Sequence, residues 1–341
     1  MRGMLSGGQE ESKMQVETNF PLYDGCLEGF ADMADVSKWC HEIGCDGLEI
    51  IWDHNVYHGE RPGHDLAIGY HLMFWADWLD FWLEDEEALM RKFGSWDFVR
   101  EYYRGDNRQA MVDFYRRDFA HAVEVGAQYV VFHVSDVSIE ECFTFDFAHT
   151  DEQVIDASLE LINQVFDGQD YPFALLVENQ WWPGFTFTDP LMTQRLLDGI
   201  EHPDKGIMLD TGHLIHTDRT IDDEASAIAY INRMLDEHGA LSQRIRGMHL
   251  HQSTSGPYMR QAVGKLPDDL DGDYWQKFAR CYQHVLNIDE HQPWTDSRIA
   301  DVVARIDPEW LNNELSAYGR QPHGDAVRTQ VDTLRRGGLD I

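Results

Sequence analysis

Six apolar runs in this chain carry a histidine or a carboxylate at or near their C-terminal ends. His71 lies in I-G-Y-H-L-M-F, His133 ends Y-V-V-F-H and Glu178 ends A-L-L-V-E. Asp210 ends I-M-L-D, with His213 just beyond; His249 lies in R-G-M-H-L-H, and Glu314 ends W-L-N-N-E. An ionised carboxylate at the end of an apolar strand is unfavourable to bury alone. For a single such residue, hydrogen bonds are the ordinary remedy. Several carboxylates brought together repel one another unless a cation neutralises them. Two glutamates, an aspartate and an imidazole form a hard-to-borderline donor set, suited to Mn²⁺, Mg²⁺, Co²⁺ or Zn²⁺.

The elements that would position these groups are short strands alternating with longer helices. Gly47–Ile51, Ile68–Phe74, Tyr129–His133, Phe173–Glu178, Gly206–Asp210 and Ile245–Leu250 are rich in branched or aromatic residues and apolar on both faces. That pattern marks buried parallel strands. Helical periodicity falls between them, at Val36–Ile43, Arg108–Val125, Asp151–Phe166, Pro190–Gly199 and Asp222–His238, with Asp151 read as an N-cap. A first strand near Val16–Phe20 and a last near Trp310–Glu314 bring the count to about eight, which suits a closed (β/α)₈ TIM barrel. A doubly wound open sheet is the alternative, weakened by the lack of a Gly-rich turn after the first strand. In a barrel, the strand ends meet at one mouth, where an active site belongs.

The expected organisation is a leader over Met1–Lys13 and a single α/β barrel domain over residues 14–341, with insertions after strands 3 and 7. The chain has 341 residues, 43% of them hydrophobic, enough for a sizeable core. Its formal net charge of −34 repels phosphate backbones and anionic membranes, and points to a small-molecule substrate rather than nucleic acid. A general acidic adaptation would give the same charge, so charge alone does not decide. Five scattered cysteines form no short-spaced framework, which suggests reduced thiols and a cytoplasmic setting. No stretch reads as a membrane span or signal peptide.

The segments L-V-E-N-Q around Glu178, L-D-T-G-H-L around Asp210 and His213, G-M-H-L around His249 and N-N-E-L around Glu314 resemble the xylose-isomerase-like barrel superfamily. That group includes sugar isomerases and epimerases and an endonuclease IV branch. The resemblance runs from about Val16 to Glu314, and L-D-T-G-H-L is its most specific piece. It implies that Glu178, Asp210, His249 and Glu314 hold a metal. In the epimerase branch, Glu178 and Glu314 also act as acid and base, and His213 binds a substrate oxygen. The endonuclease branch implies further ions, on His71, His133 and Glu178, and on His213, Asp289 and His291. The chain departs from that pattern where Glu290 replaces a frequent basic residue and W-T-D-S follows Pro293.

Several residues stay open at this level. His251, two residues after His249, is read as a loop residue beyond the strand rather than a ligand. Glu49 is either a mouth residue or a buried hydrogen-bonded carboxylate, and Asp53 and His54 read as loop. Trp181 and Trp182 are either an aromatic wall for a sugar-like substrate or a plug; His71 and His133 are further candidates to touch substrate. In the first insertion, Trp75, Trp78, Leu79 and Trp82 share one helical face, expected to pack on the core or a second copy of the chain. The second insertion, roughly Ser253–Trp294, holds a helix at Tyr274–Leu286. The reactions considered are a metal-dependent isomerase or epimerase on a sugar, polyol or related carbonyl compound, an endonuclease IV-like trinuclear zinc phosphodiesterase, and a ligand-binding barrel without catalysis.

Overall fold

The computed structural model describes residues 14–341 apart from 54, 55 and 318. The expected leader and His54 therefore lie outside the described residues. Eight parallel strands close in sequence order: β1 (Gln15–Leu22), β2 (Gly47–Trp52), β3 (Ala67–His71), β4 (Tyr129–His133), β5 (Ala174–Glu178), β6 (Lys205–Asp210), β7 (Ile245–His249) and β8 (Trp310–Asn313). This is the (β/α)₈ barrel that strand–helix alternation predicts. The open-sheet alternative falls, because β1 pairs with β8.

Side chains alternate across each strand, so every second residue faces the barrel interior. Val131 leads to His133, Leu176 to Glu178 and Met208 to Asp210. Tyr129, Val131, Ala174, Leu176, Met208 and Trp310 pack together in one buried cluster. The polar residues are the next step up from this apolar floor. Register brings them side by side, with His133 opposite Glu178 and Asp210 opposite His249. A larger apolar layer, with Val36, Val112, Leu161 and Val327 from the helices, packs around the strands.

The helix Asp151–Phe166 starts where the sequence places it, but Asp151 is not its cap. Thr150 accepts from the Gln153 amide at 3.3 Å, and Gln153 answers back in a capping box. Asp151, one residue inside, accepts instead from the Gly184 amide at 3.0 Å and so holds the loop after β5.

Both insertions occur as expected. After β3 come the helices Leu79–Trp82, Glu86–Phe93 and Trp96–Tyr103. Trp78, Leu79 and Trp82 are buried in the core, and Trp75 packs against it, so this face has its partner within the chain. Asp136 anchors the insertion by accepting from the Trp78 and Leu79 amides, each at 2.8 Å. After β7 come the helices Gly256–Ala262 and Tyr274–Ile288. Met259, Cys281 and Ile288 from this second insertion pack with Val137, Cys142, Phe143, Trp181 and Trp182 as a separate apolar cluster over the strand ends. No helix among the described residues is long and apolar enough to cross a membrane.

Gly184 makes the close approach that fixes this cover. Its φ is +130°, and a Cβ there would lie 2.2 Å from the Val134 carbonyl oxygen. Gly184→Ala is expected to destabilise the fold by about 1–3 kcal/mol, read as a lowered midpoint in chemical denaturation.

Candidate metal centre

Glu178 is the hub of the site. It ends β5, is wholly buried, and has one oxygen facing each side. Its Oε2 lies 3.3 Å from His71 Nε2, 3.1 Å from His133 Nε2 and 3.5 Å from His249 Nδ1. Its Oε1 lies 3.0 Å from His213 Nδ1 and accepts from Gln180 Nε2 at 3.2 Å. His249 Nδ1 is also 3.1 Å from Glu314 Oε2 and 3.8 Å from Asp210 Oδ2. Glu178 Oε2, His249 Nδ1 and Glu314 Oε2 are nevertheless buried without a hydrogen-bond partner. They crowd one another without hydrogen-bond angles. A divalent cation among them would meet all three, and on that observation the residues fit one.

The atoms gather into further ligand groups. Glu178, Asp210 and His249 form one; His71, His133 and Glu178 form a second; His213, His251, Asp289 and His291 form a third; Asp210, His251 and Glu314 form a fourth. The central residues and both flanking sets singled out in the sequence thus come to one mouth. His71 Nε2 and His133 Nε2 face each other at 2.9 Å, a contact that only a proton or a cation between them relieves.

Several imidazoles have one nitrogen already committed. The Nδ1 of His71 meets the Leu72 carbonyl at 3.0 Å and that of His291 the Glu314 carbonyl at 3.1 Å, while the same His213 Nδ1 that faces Glu178 also meets the Asn179 carbonyl at 3.0 Å. A nitrogen donating to a carbonyl leaves the lone pair on the other, which is how second-shell bonds prepare a metal ligand.

The charges follow from the packing. Burial alone would push Glu178 up, but the His133 and His249 imidazoles outweigh it and hold the carboxyl well below its usual range. Glu314 is depressed in the same way, with His249 overcoming burial. Burial also opposes charging of His249 and His213, yet Glu314 and Glu49 around the first, and Asp210 and Asp289 around the second, drive both well above the ordinary imidazole value. His291 is raised to about 9 by Asp289 against burial. For His133 burial prevails and lowers it.

Main-chain contacts fix where the carboxylates stand. Asp210 caps the helix Thr211–His216, its Oδ1 accepting from the His213 amide at 2.6 Å. Asn179 donates to the Asp210 carbonyl at 3.0 Å and accepts from its amide at 2.8 Å. Asn19, on β1, makes the equivalent pair with the Leu315 backbone, one residue past Glu314, at 3.3 and 3.1 Å.

Two histidines belong here that sequence reasoning set aside or missed. His251 was expected to be a plain loop residue. It does lie beyond β7, but it is fully buried, with Nε2 3.0 Å from Asp210 Oδ2. The strand's alternation persists because the Thr211 hydroxyl donates to the His251 carbonyl at 2.6 Å and holds the chain extended. His216 lies three residues after His213, on the same helical face, and that spacing was the available signal. Its Nε2 is 3.1 Å from Asp289 Oδ1, while Asp289 Oδ2 meets His291 Nε2 at 2.7 Å and His213 Nε2 at 3.3 Å.

Glu49 is the buried, hydrogen-bonded carboxylate of its two options, bonded to Tyr129, His249 and Asn312. Glu17, beside it, is pushed up by burial and then by Glu49. Trp181 and Trp182 are buried under the second insertion, and the Trp181 ring lies 4.9 Å from both His213 and His216. Neither indole N–H has an acceptor among the described residues.

Residues 37–336 match the model of the xylose isomerase-like TIM barrel family. No curated protein matches the chain significantly. Among solved structures, the crystal structure of AsfvAP:AG is 11% identical, covers 95% of this chain and 99% of its own, and superposes with a TM-score of 0.53. An L-ribulose 3-epimerase is 10% identical, with 95% of each chain covered and a TM-score of 0.50. At such identity both attest the fold alone. With nearly the whole barrel and its strand-end carboxylates inside the family match, this chain belongs to the xylose isomerase-like TIM barrel family.

Proposed function

We propose that this chain is a divalent-metal-dependent isomerase or epimerase acting on a small sugar-like hydroxy-carbonyl compound, in a cytoplasm that keeps its five buried cysteines reduced. One observation carries the reading. Glu178 and Glu314 each turn an unpartnered oxygen toward the place where His249 offers Nδ1. Glu178, Asp210, His249 and Glu314 would hold the ion, with Mn²⁺, Zn²⁺, Mg²⁺ or Co²⁺ compatible with that donor set. A divalent ion there would polarise a carbonyl and the hydroxyl on the adjacent carbon, making the C–H of that hydroxyl-bearing carbon acidic. Glu314 has the more accessible carboxylate, its side chain 12% exposed against 1% for Glu178. It takes the proton, and Glu178, across the site, serves the other face of the reacting carbon. His213 and the two unpartnered indole N–H groups are donors for substrate oxygens, in the way a buried donor without a partner invites one. An L-ribulose 3-epimerase shares the fold, which is compatible with this assignment.

A second reading, a three-ion phosphoester hydrolase, draws support from the two flanking ligand groups. Charge speaks against it. Among the described residues, the ion-pair partners of Glu178, Asp210, Asp289 and Glu314 are all imidazoles, with no lysine or arginine among them. The net charge of −34 adds to that.

Metal-loaded protein is expected to exchange solvent deuterium into a member of a ketose and aldose panel. Glu178→Gln should reduce that exchange by at least ~100-fold and release the central ion, measured by elemental analysis. Three ions per chain with cleavage of a phosphoester, and no C–H exchange, would establish the hydrolase instead.

The same site sets a pH dependence for the metal-free protein. A histidine raised on folding stabilises the fold fully below its unfolded value of 6.5 and ceases to do so as pH rises through the folded value, about 9 for His291. His213 and His249 act in the same direction. The melting temperature of chelator-treated protein should therefore fall between about pH 6.5 and 9, and added divalent metal should remove that fall.

A further inference from the structure

Beneath the cation ligands, the barrel interior holds a carboxylate that the proposed reaction does not use. Glu49 projects inward from β2 and is 1% exposed. Its Oε2 accepts from the Tyr129 hydroxyl at 2.8 Å and lies 3.0 Å from His249 Nε2; its Oε1 accepts from Asn312 Nδ2 at 2.9 Å. Tyr129 and Asn312 are themselves wholly buried. Gly69 on β3 makes room for the Tyr129 ring, since a Cβ there would sit 2.3 Å from it. The inner face of such a barrel is ordinarily filled by branched apolar side chains. A carboxylate at that depth is strongly unfavourable unless its bonds serve it fully. Tyr129 and Asn312 would satisfy it as a packing element. The third bond, to His249, does something more.

We propose that Glu49 is a positioning residue that holds the proton of His249 on Nε2 and thereby turns the Nδ1 lone pair to the ion. This rests on the metal reading of the site. The geometry leaves the two nitrogens of His249 with opposite roles. Nε2 points down to Glu49, while Nδ1 points up among Glu178, Asp210 and Glu314 and has no hydrogen-bond partner. A carboxylate on the far nitrogen also makes the imidazole a stronger donor to the metal. His71 and His291 lean instead on main-chain carbonyls, at Leu72 and Glu314. His249 has the Glu49 side-chain carboxylate behind it, and it is the imidazole in the same ligand group as Glu178 and Asp210.

The test compares wild type, Glu49→Gln and Glu49→Leu for zinc affinity by chelator competition. It also follows the ring nitrogens of His249 by ¹⁵N NMR in the zinc-loaded protein, and melting of the metal-free forms. Glu49→Gln keeps the shape and one acceptor, and should weaken zinc binding about tenfold; Glu49→Leu should weaken it about 100-fold. Zinc should reside on His249 Nδ1. A Glu49 that only packs would lower the melting temperature and leave zinc affinity unchanged. Affinities within twofold of wild type, or zinc on Nε2, overturn the proposal while the metal reading stands. A wild-type protein that takes up no divalent ion removes both. Should Glu49→Leu fail to fold, Glu49→Gln carries the comparison.

Discussion

Glu178, Asp210, Asp289 and Glu314 share a space from which water is largely excluded, and their mutual repulsion is the constraint that orders everything around it. Burial favours the neutral acid, while neighbouring imidazoles favour the charged form. Here the imidazoles win at Glu178, Asp289 and Glu314. The result is a network of opposite charges in a low-dielectric mouth, with several donor atoms still lacking any hydrogen-bond partner. Such an arrangement gathers donor atoms that could hold a divalent cation. The closed sheet is what makes the crowding achievable, because strands of fixed register deliver side chains to one end with little freedom to move apart.

Much of this was legible in the sequence. A carboxylate or imidazole closing a run such as A-L-L-V-E or I-M-L-D stands out because its neighbours are apolar, and period-two alternation then says which way it points. The barrel followed from the same runs. What stayed hidden depends on contacts between distant segments. His251 lies past the end of β7, and contacts from distant segments keep it turned inward, the Thr211 hydroxyl on its carbonyl and Asp210 at its ring. Glu49 could not be placed at the mouth or below it without the register of β2 against β1. Asp151 has the right residue type for a cap, but Thr150 has the better geometry and frees it for Gly184. Asn179 and Gln180 gave no signal of their own, since amides are common in loops.

The cover over the site is built differently from the site itself. Trp181, Trp182, Phe143, Met259 and Ile288 form an apolar cluster of their own, distinct from the main core. The candidate ligands stand on or just past strand ends, on the short helix Thr211–His216 and, for Asp289 and His291, in the insertion after β7, while the cover comes from the loops after β4 and β5 and from that same insertion. The insertion after β7 thus supplies both enclosure and candidate ligands, with Ile288 in the apolar cluster and Asp289 next to it in the polar one, and the Trp181 ring joins the two where it lies against His213 and His216.

The two asparagines that grip main chain beside Asp210 and Glu314 bear on how such a barrel diversifies. Asn179 and Asn19 are on or directly beside neighbouring strands and bind backbone, not side chains. They locate Asp210 and Glu314 without help from the long excursions after β3 and β7. The excursion after β3, which carries none of the candidate ligands, can therefore lengthen, shrink or change composition over evolutionary time without moving those two carboxylates.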